Sequence, residues 1–184
     1  MIATQTGGLT VEDYRKLPAD DWRYQLIAGE IVMSPSPKFF HQRILMNLFR
    51  LLSPHVETNN LGLVMFAPLD FYVDEHNVYQ PDIFFVSRER EGIFQEDGMH
   101  GAPDFVAEVL SPRTARYDLN AKRAGYARSG MRELWLVYPE AKKVDVFHLE
   151  KNAETPVASY SLGETFQSPL FPELDLSPDK IFAR

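Results

Sequence analysis

Apolar residues recur along this chain with two periods. Between His41 and Leu52 the positions Ile44, Leu45, Leu48, Leu51 and Leu52 follow three- and four-residue steps, which predicts an amphipathic helix lying on a core. Other segments read as strands. Tyr24–Ile27 and Glu30–Met33 flank Ala28-Gly29 and predict a hairpin. Leu63–Val73 and Val78–Val86 predict two strands separated by the polar turn Asp74–Asn77, and Asp104–Leu110 predicts a buried one. Ser111-Pro112 ends that strand and opens a helix to about Ser129, closed by Gly130. Glu133–Tyr138 and Lys143–Leu149 form a second hairpin, with one more strand near Ser159 and a short apolar segment through Ile181-Phe182. Thr10-Val11-Glu12-Asp13 resembles a capping box, so a short helix is expected before Pro18. The polar, glycine-containing stretch from Arg88 to Gly101 reads as a surface loop with at most a short helical turn. The order predicts a mixed α/β fold with a largely antiparallel central sheet flanked by helices. No repeat or linker divides residues 1–184, so one domain is expected.

Composition narrows the function classes. The chain has no cysteine, which excludes disulfides, thiolate metal sites and a cysteine nucleophile. No apolar run is long enough to span a membrane, and the N-terminus lacks signal-peptide features, so a cytoplasmic protein without membrane partners is expected. A net charge of -7 argues against coating nucleic acid by overall field, since phosphate affinity comes mainly from Lys and Arg. It leaves a carboxylate-rich metal site open.

Three residues break the apolar pattern where polar groups are costly. Glu108 lies inside Phe-Val-Ala-Glu-Val-Leu, and a carboxylate buried in such a strand requires a cation or hydrogen-bond partners. Its alternative is the solvent side of an edge strand. Asp82 follows Pro81 at the head of a strongly apolar run, and also fits a simple strand-entry residue. Two carboxylates on adjacent strands would suit Mg²⁺ or Mn²⁺. Lys122 falls between Leu119 and Tyr126 on the packed face of its helix, with Asp118 four residues earlier as an ion-pair partner. His41 opens its helix and Glu30 follows a turn; both have ordinary structural readings. Phosphate-binding glycine loops, dinucleotide fingerprints, paired-histidine zinc motifs and nucleophile elbows are absent from the sequence.

Taken in order, Pro81-Asp82, Glu108-Val109-Leu110-Ser111, Asp118, Lys122, Tyr126, Gly130 and Glu133–Val137 resemble the Uma-type restriction endonucleases of the PD-(D/E)XK nuclease superfamily. The Tyr24-x-Leu-Ile-x-Gly-Glu30 run and the approach to His41 resemble it too, so the likeness covers nearly the whole chain. It implies a restriction-endonuclease-like core and a Mg²⁺- or Mn²⁺-dependent endonuclease acting on DNA as a homodimer. In that reading Asp82 and Glu108 hold the metal with the Val109 main-chain carbonyl. Lys122 supplies the lysine that the superfamily motif places at Leu110. Glu30, His41, Gln25 and Asp118 would lie around the site. Arg113, Arg116 and Arg123, near the start and along the same helix, suit phosphate contacts with the substrate or a solvated helix face. The family usually has Glu where this chain has Gln25, and Asp where it has Tyr138. The loss of charge at Gln25 keeps a second function class open, a nuclease-fold binding or dimerisation module with weak or lost catalysis.

Overall fold

A computed structural model of the 184-residue chain describes residues 4–5, 8–18, 20, 22–34, 36–112 and 115–184. Its first elements are β1 (Thr4–Gln5) and α1 (Val11–Tyr14). Asp13 Oδ2 accepts from the Thr10 backbone N–H (3.1 Å) and hydroxyl (3.0 Å), which secures the start of α1. Then come β2 (Arg23–Ile27) and β3 (Glu30–Ser34), joined by Ala28 and Gly29 at φ 52° and 73°, the left-handed pair a tight hairpin requires. The predicted amphipathic helix is longer than its periodicity suggested: α2 spans Phe39–Thr58 and continues past Pro54.

Each of the two long runs predicted as single strands is in fact two. Leu63–Val73 divides into β4 (Gly62–Phe66) and β5 (Phe71–Asp74), and Val78–Val86 into β6 (Asn77–Tyr79) and β7 (Ile83–Ser87). Pro68 and Pro81 stand at the breaks, where a ladder donor is missing and the chain passes from one sheet to another. The expected loop after Arg88 carries a 3₁₀ turn (Arg88–Ile93) and a small hairpin, β8 (Phe94–Gln95) and β9 (Gly98–Met99). The remaining strands are β10 (Phe105–Val109), β11 (Glu133–Tyr138), β12 (Lys143–His148), β13 (Ala158–Tyr160) and a closing hairpin, β14 (Phe166–Ser168) and β15 (Phe171–Leu176).

The strands form two main sheets. One has the order β13-β12-β11-β10-β7-β4, antiparallel except for the β10–β11 pair; the other has the order β1-β3-β2-β6-β5-β9-β8. Alternation along β10 sends its residues to two different cores. Phe105, Ala107 and Val109 face Ile44, Leu48 and Leu52 of α2 and Phe171 of the closing hairpin. Val106 and Leu110 face a second core with Phe84, Leu136, Tyr126, and Ile27, Phe71 and Tyr79 of the other sheet. The helix between β10 and β11 therefore sits with this inter-sheet core. Its described part begins at Ala115, passes through a π-helical turn, Tyr117–Lys122, and continues as α3, Arg123–Arg128. Among the described residues, no helix is long and apolar enough to cross a membrane.

Candidate active site

Asp82 and Glu108 meet because β7 and β10 are antiparallel neighbours whose pairing stops at Ile83↔Ala107. One step further, the Asp82 backbone N–H points at Glu108 Oε2 at 3.4 Å, and Asp82 Oδ2 accepts from the Val109 backbone N–H at 2.9 Å. Continuing the register would place Pro81 opposite Val109. The even residues of β10 bond toward β11, as the Leu110 N–H donation to the Val137 carbonyl shows, so the Val109 carbonyl faces the β7 side. Proline has no N–H to offer it. The β7–β10 ladder ends at Ala107, and no described residue outside the ladders donates to that carbonyl, so the strand end presents an open main-chain oxygen beside two carboxylates.

The π-helical turn buries Tyr117, Asp118 and Lys122 together, and a wide turn of this kind inside a helix is frequent at functional positions. Lys122 Nζ lies 2.5 Å from Glu108 Oε1 and 3.1 Å from Asp118 Oδ1. The Tyr126 hydroxyl, one turn on, donates to the same Glu108 oxygen. The ammonium also stands 5.9 and 6.0 Å from the rings of Tyr126 and Tyr79. Gly125 lets the helix approach this closely: a Cβ there would collide with the Tyr79 hydroxyl. On the other side of the sheet end, His41 in the first turn of α2 places Nε2 3.2 Å from Asp82 Oδ2.

Electrostatics separate the two acids. Burial pushes the Glu108 carboxyl up to about 7; Lys122 opposes this, while the charges of Asp118 and Asp82 add to it. Asp82 is also buried, yet it is held below the usual carboxylate range, because the hydrogen bond and charge of His41, the charge of Lys122 and the Val109 N–H outweigh desolvation. Burial alone would lower Lys122 and His41, but their carboxylate partners raise both. Among the described residues, three buried carboxyls thus gather around one ammonium and one imidazole, with Arg23 near the imidazole.

That donor set fits a hard divalent cation. Asp82 Oδ1 accepts no hydrogen bond among the described residues, Glu108 Oε2 has only the long one, and the Val109 carbonyl is open. The described residues contain no group of three or more His, Cys, Asp or Glu that would hold a metal by themselves, so a main-chain oxygen and water would have to complete the shell.

The other expected site residues are placed differently. Gln25 is buried, and its Oε1 accepts the Gln80 backbone N–H at 2.9 Å, two residues before Asp82. A carboxylate oxygen would take the same bond, so the amide removes charge while keeping this contact. Glu30 sits at the turn end of the β2–β3 hairpin, paired with Ile27, and its carboxylate makes no hydrogen bond or ion pair among the described residues. Arg116 is exposed and stacked on Tyr117 at 4.5 Å. Arg123 donates to the carbonyls of Leu119, Ala153 and Glu154, which pins the 153–154 loop and commits its guanidinium there. Arg113 lies outside the described residues.

Sequence reasoning passed over Arg23 and gave Tyr126 no role. Arg23 lies close enough for its charge to oppose the protonation of His41. The signal for Tyr126 was present: it is four residues beyond Lys122, on the same inward face.

Comparison with known proteins finds a family, a relative and a fold neighbour. A family named Uma2, described as "Putative restriction endonuclease", matches residues 11–179. "Uncharacterized protein sll1609" of Synechocystis sp. is 25% identical over 128 residues, 68% of this chain and 72% of that protein. The crystal structure of "a putative nuclease belonging to DUF820" from Anabaena variabilis superposes with a TM-score of 0.78 at 20% identity, covering 95% of this chain and 97% of that one, a likeness of fold.

Proposed function

The chain belongs to the Uma2 restriction-endonuclease family, and from that membership we propose that it is a divalent-metal-dependent endonuclease that hydrolyses phosphodiester bonds of DNA. The observation that carries the proposal is the convergence of Asp82, Glu108 and Lys122 at one splayed strand end, beside the open Val109 carbonyl. Asp82, Glu108 and that carbonyl would hold Mg²⁺ or Mn²⁺. Such an ion supplies a lowered pKa for bound water and neutralises charge on the scissile phosphate.

The chain's own residues do the rest. Asp118 and Glu108 hold Lys122 as an ammonium, so it suits orienting a water and steadying negative charge on the phosphate better than removing a proton. His41 holds the Asp82 carboxylate, already anchored on the Val109 N–H, in one orientation. Tyr126 does the same for Glu108. The burial of this cluster excludes bulk water and strengthens each of these interactions. Two such centres would cut both strands of a duplex in one encounter, and we assign them to a homodimer.

The test is plasmid cleavage by purified protein with Mg²⁺, with Mn²⁺ and with EDTA. Cleavage is expected only with metal, and is expected to be lost in Asp82→Ala and Lys122→Ala. Metal-dependent cleavage that survives both substitutions would remove the assignment. Tight DNA binding without cleavage by the unaltered protein would favour a nuclease-fold binding module.

A further inference from the structure

A cavity of about 560 Å³, lined by Phe39, Phe40, Arg43, Lys142, Phe182 and Arg184, opens on the α2 side of the six-stranded sheet. Topology puts it at the catalytic end of the six-stranded sheet. β10 ends there at Val109, parallel β11 ends there at Tyr138, and the antiparallel β7 and β12 begin there, just after Asp82 and Lys142. The first turn of α2 joins the two places. Phe39 and Phe40 face the cavity, and His41, the next residue, touches Asp82.

The cavity's chemistry is unlike the rest of this acidic chain. Three of its six lining residues are cationic, three are aromatic, and none is acidic. Phe39 is 78% exposed, a large apolar side chain offered to solvent next to the cations. The tail that brings Phe182 and Arg184 is fixed: Asn47 Nδ2 donates to the carbonyls of Ile181 and Ala183, both at 3.0 Å, and Arg43 Nε donates to Ala183 at 3.2 Å. A volume of several hundred Å³ accepts a small molecule or one monomer of a polymer. Clustered cations match phosphate, and an exposed aromatic ring matches the face of a base.

We propose that this cavity is a nucleotide subsite at the same end of the sheet, which seats one unit of the substrate strand away from the scissile phosphate. Its base stacks on Phe39, and its phosphate lies among Arg43, Lys142 and Arg184. This rests on the nuclease reading for its polymer, and it explains how a chain of net charge -7 engages nucleic acid: the positive charge is local and lies beside the catalytic end. Because a base inside a duplex cannot reach an aromatic face, the subsite takes a single-stranded or locally opened strand.

The probe is a labelled single-stranded oligodeoxynucleotide followed by fluorescence anisotropy, with Ca²⁺ in place of Mg²⁺, over a range of salt. Phe39→Ala is expected to weaken binding about tenfold. Lys142→Ala is expected to weaken it similarly for every sequence and to lower the salt slope by about 1. Both side chains are exposed, so the fold should tolerate either change. Unchanged affinity and salt slope in both variants would overturn the subsite, as would failure of the unaltered protein to bind the probe. Cleavage is read separately with Asp82→Ala. If that variant cuts like the unaltered protein while the cavity variants lose binding, the catalytic assignment fails and the subsite stands. If the cavity variants bind normally while Asp82→Ala is inactive, the reverse holds.

Discussion

Replacing Lys122 by methionine should expose how the buried charges are balanced. Lys122, Glu108 and Asp118 are all at least 95% buried, and the ammonium contacts the two carboxylates at 2.5 and 3.1 Å. Methionine keeps most of the volume and removes the ammonium that contacts both acids. Removing one partner from a buried ion pair typically costs about 3–5 kcal/mol. For a chain of this size each kcal/mol lowers Tm by roughly 2–4 °C, so the expected drop is about 6–20 °C at pH 8. The loss should depend on pH. Glu108 already titrates near 7 when folded, against 4.5 when exposed, a difference worth about 3 kcal/mol. A folded pKa above the unfolded one means that the native state binds more protons between the two values. Stability therefore falls as pH rises through that window and is unaffected below it. Without Lys122 the Glu108 carboxyl rises further, so the window extends upward and the deficit of Lys122→Met grows from pH 5 to pH 9. Urea denaturation in EDTA, fitted at several pH values, measures it. A deficit under about 1 kcal/mol at pH 9, or one that does not change with pH, would refute the buried-cluster account.

Three other substitutions test neighbouring parts of the structure. Gly125→Ala drives a Cβ into the Tyr79 hydroxyl and to 2.8 Å from its ring, against a fully buried side chain; a loss of about 1–3 kcal/mol is expected by thermal melting, with cleavage reduced because the helix carrying Lys122 must shift. Glu133 is pushed up by burial, against hydrogen bonds from Trp135 at 2.6 Å and Ser168 at 3.0 Å, so ionising it opposes folding; Glu133→Gln should be roughly 1 kcal/mol more stable than the unaltered chain at pH 8, and the gap should close by about pH 4. Pro81→Ala returns an N–H opposite Val109, so calorimetry with Mn²⁺ should show affinity reduced about tenfold while Tm moves little.

What the sequence conveyed and what it withheld have the same cause. A charged residue in an apolar run signals its own burial, which is why Glu108, Asp82 and Lys122 stand out from residue order alone. Two-residue alternation says a segment is a strand but not which sheet it joins, so the passage of Leu63–Val73 and Val78–Val86 between sheets was invisible to periodicity. Pro68 and Pro81 marked both crossings, and Pro81 also creates the open carbonyl of Val109. Helical periodicity placed Lys122 inward, but the π-helical turn that buries Asp118 beside it has no pattern in residue type. Arg123 shows the opposite limit. Its position on the helix suggested a phosphate contact, whereas the loop at Ala153 and Glu154, far along the chain, takes up its guanidinium.

The central claim is that Asp82, Glu108 and the Val109 carbonyl form a divalent-metal centre with Lys122 beside it. Crystals soaked in Mn²⁺ and measured for anomalous scattering test this most directly. The account predicts a strong peak between the two carboxylates, within coordinating distance of the Val109 carbonyl and lost in Glu108→Gln. A clean map at this position under saturating Mn²⁺, or a peak held by other residues, would contradict it.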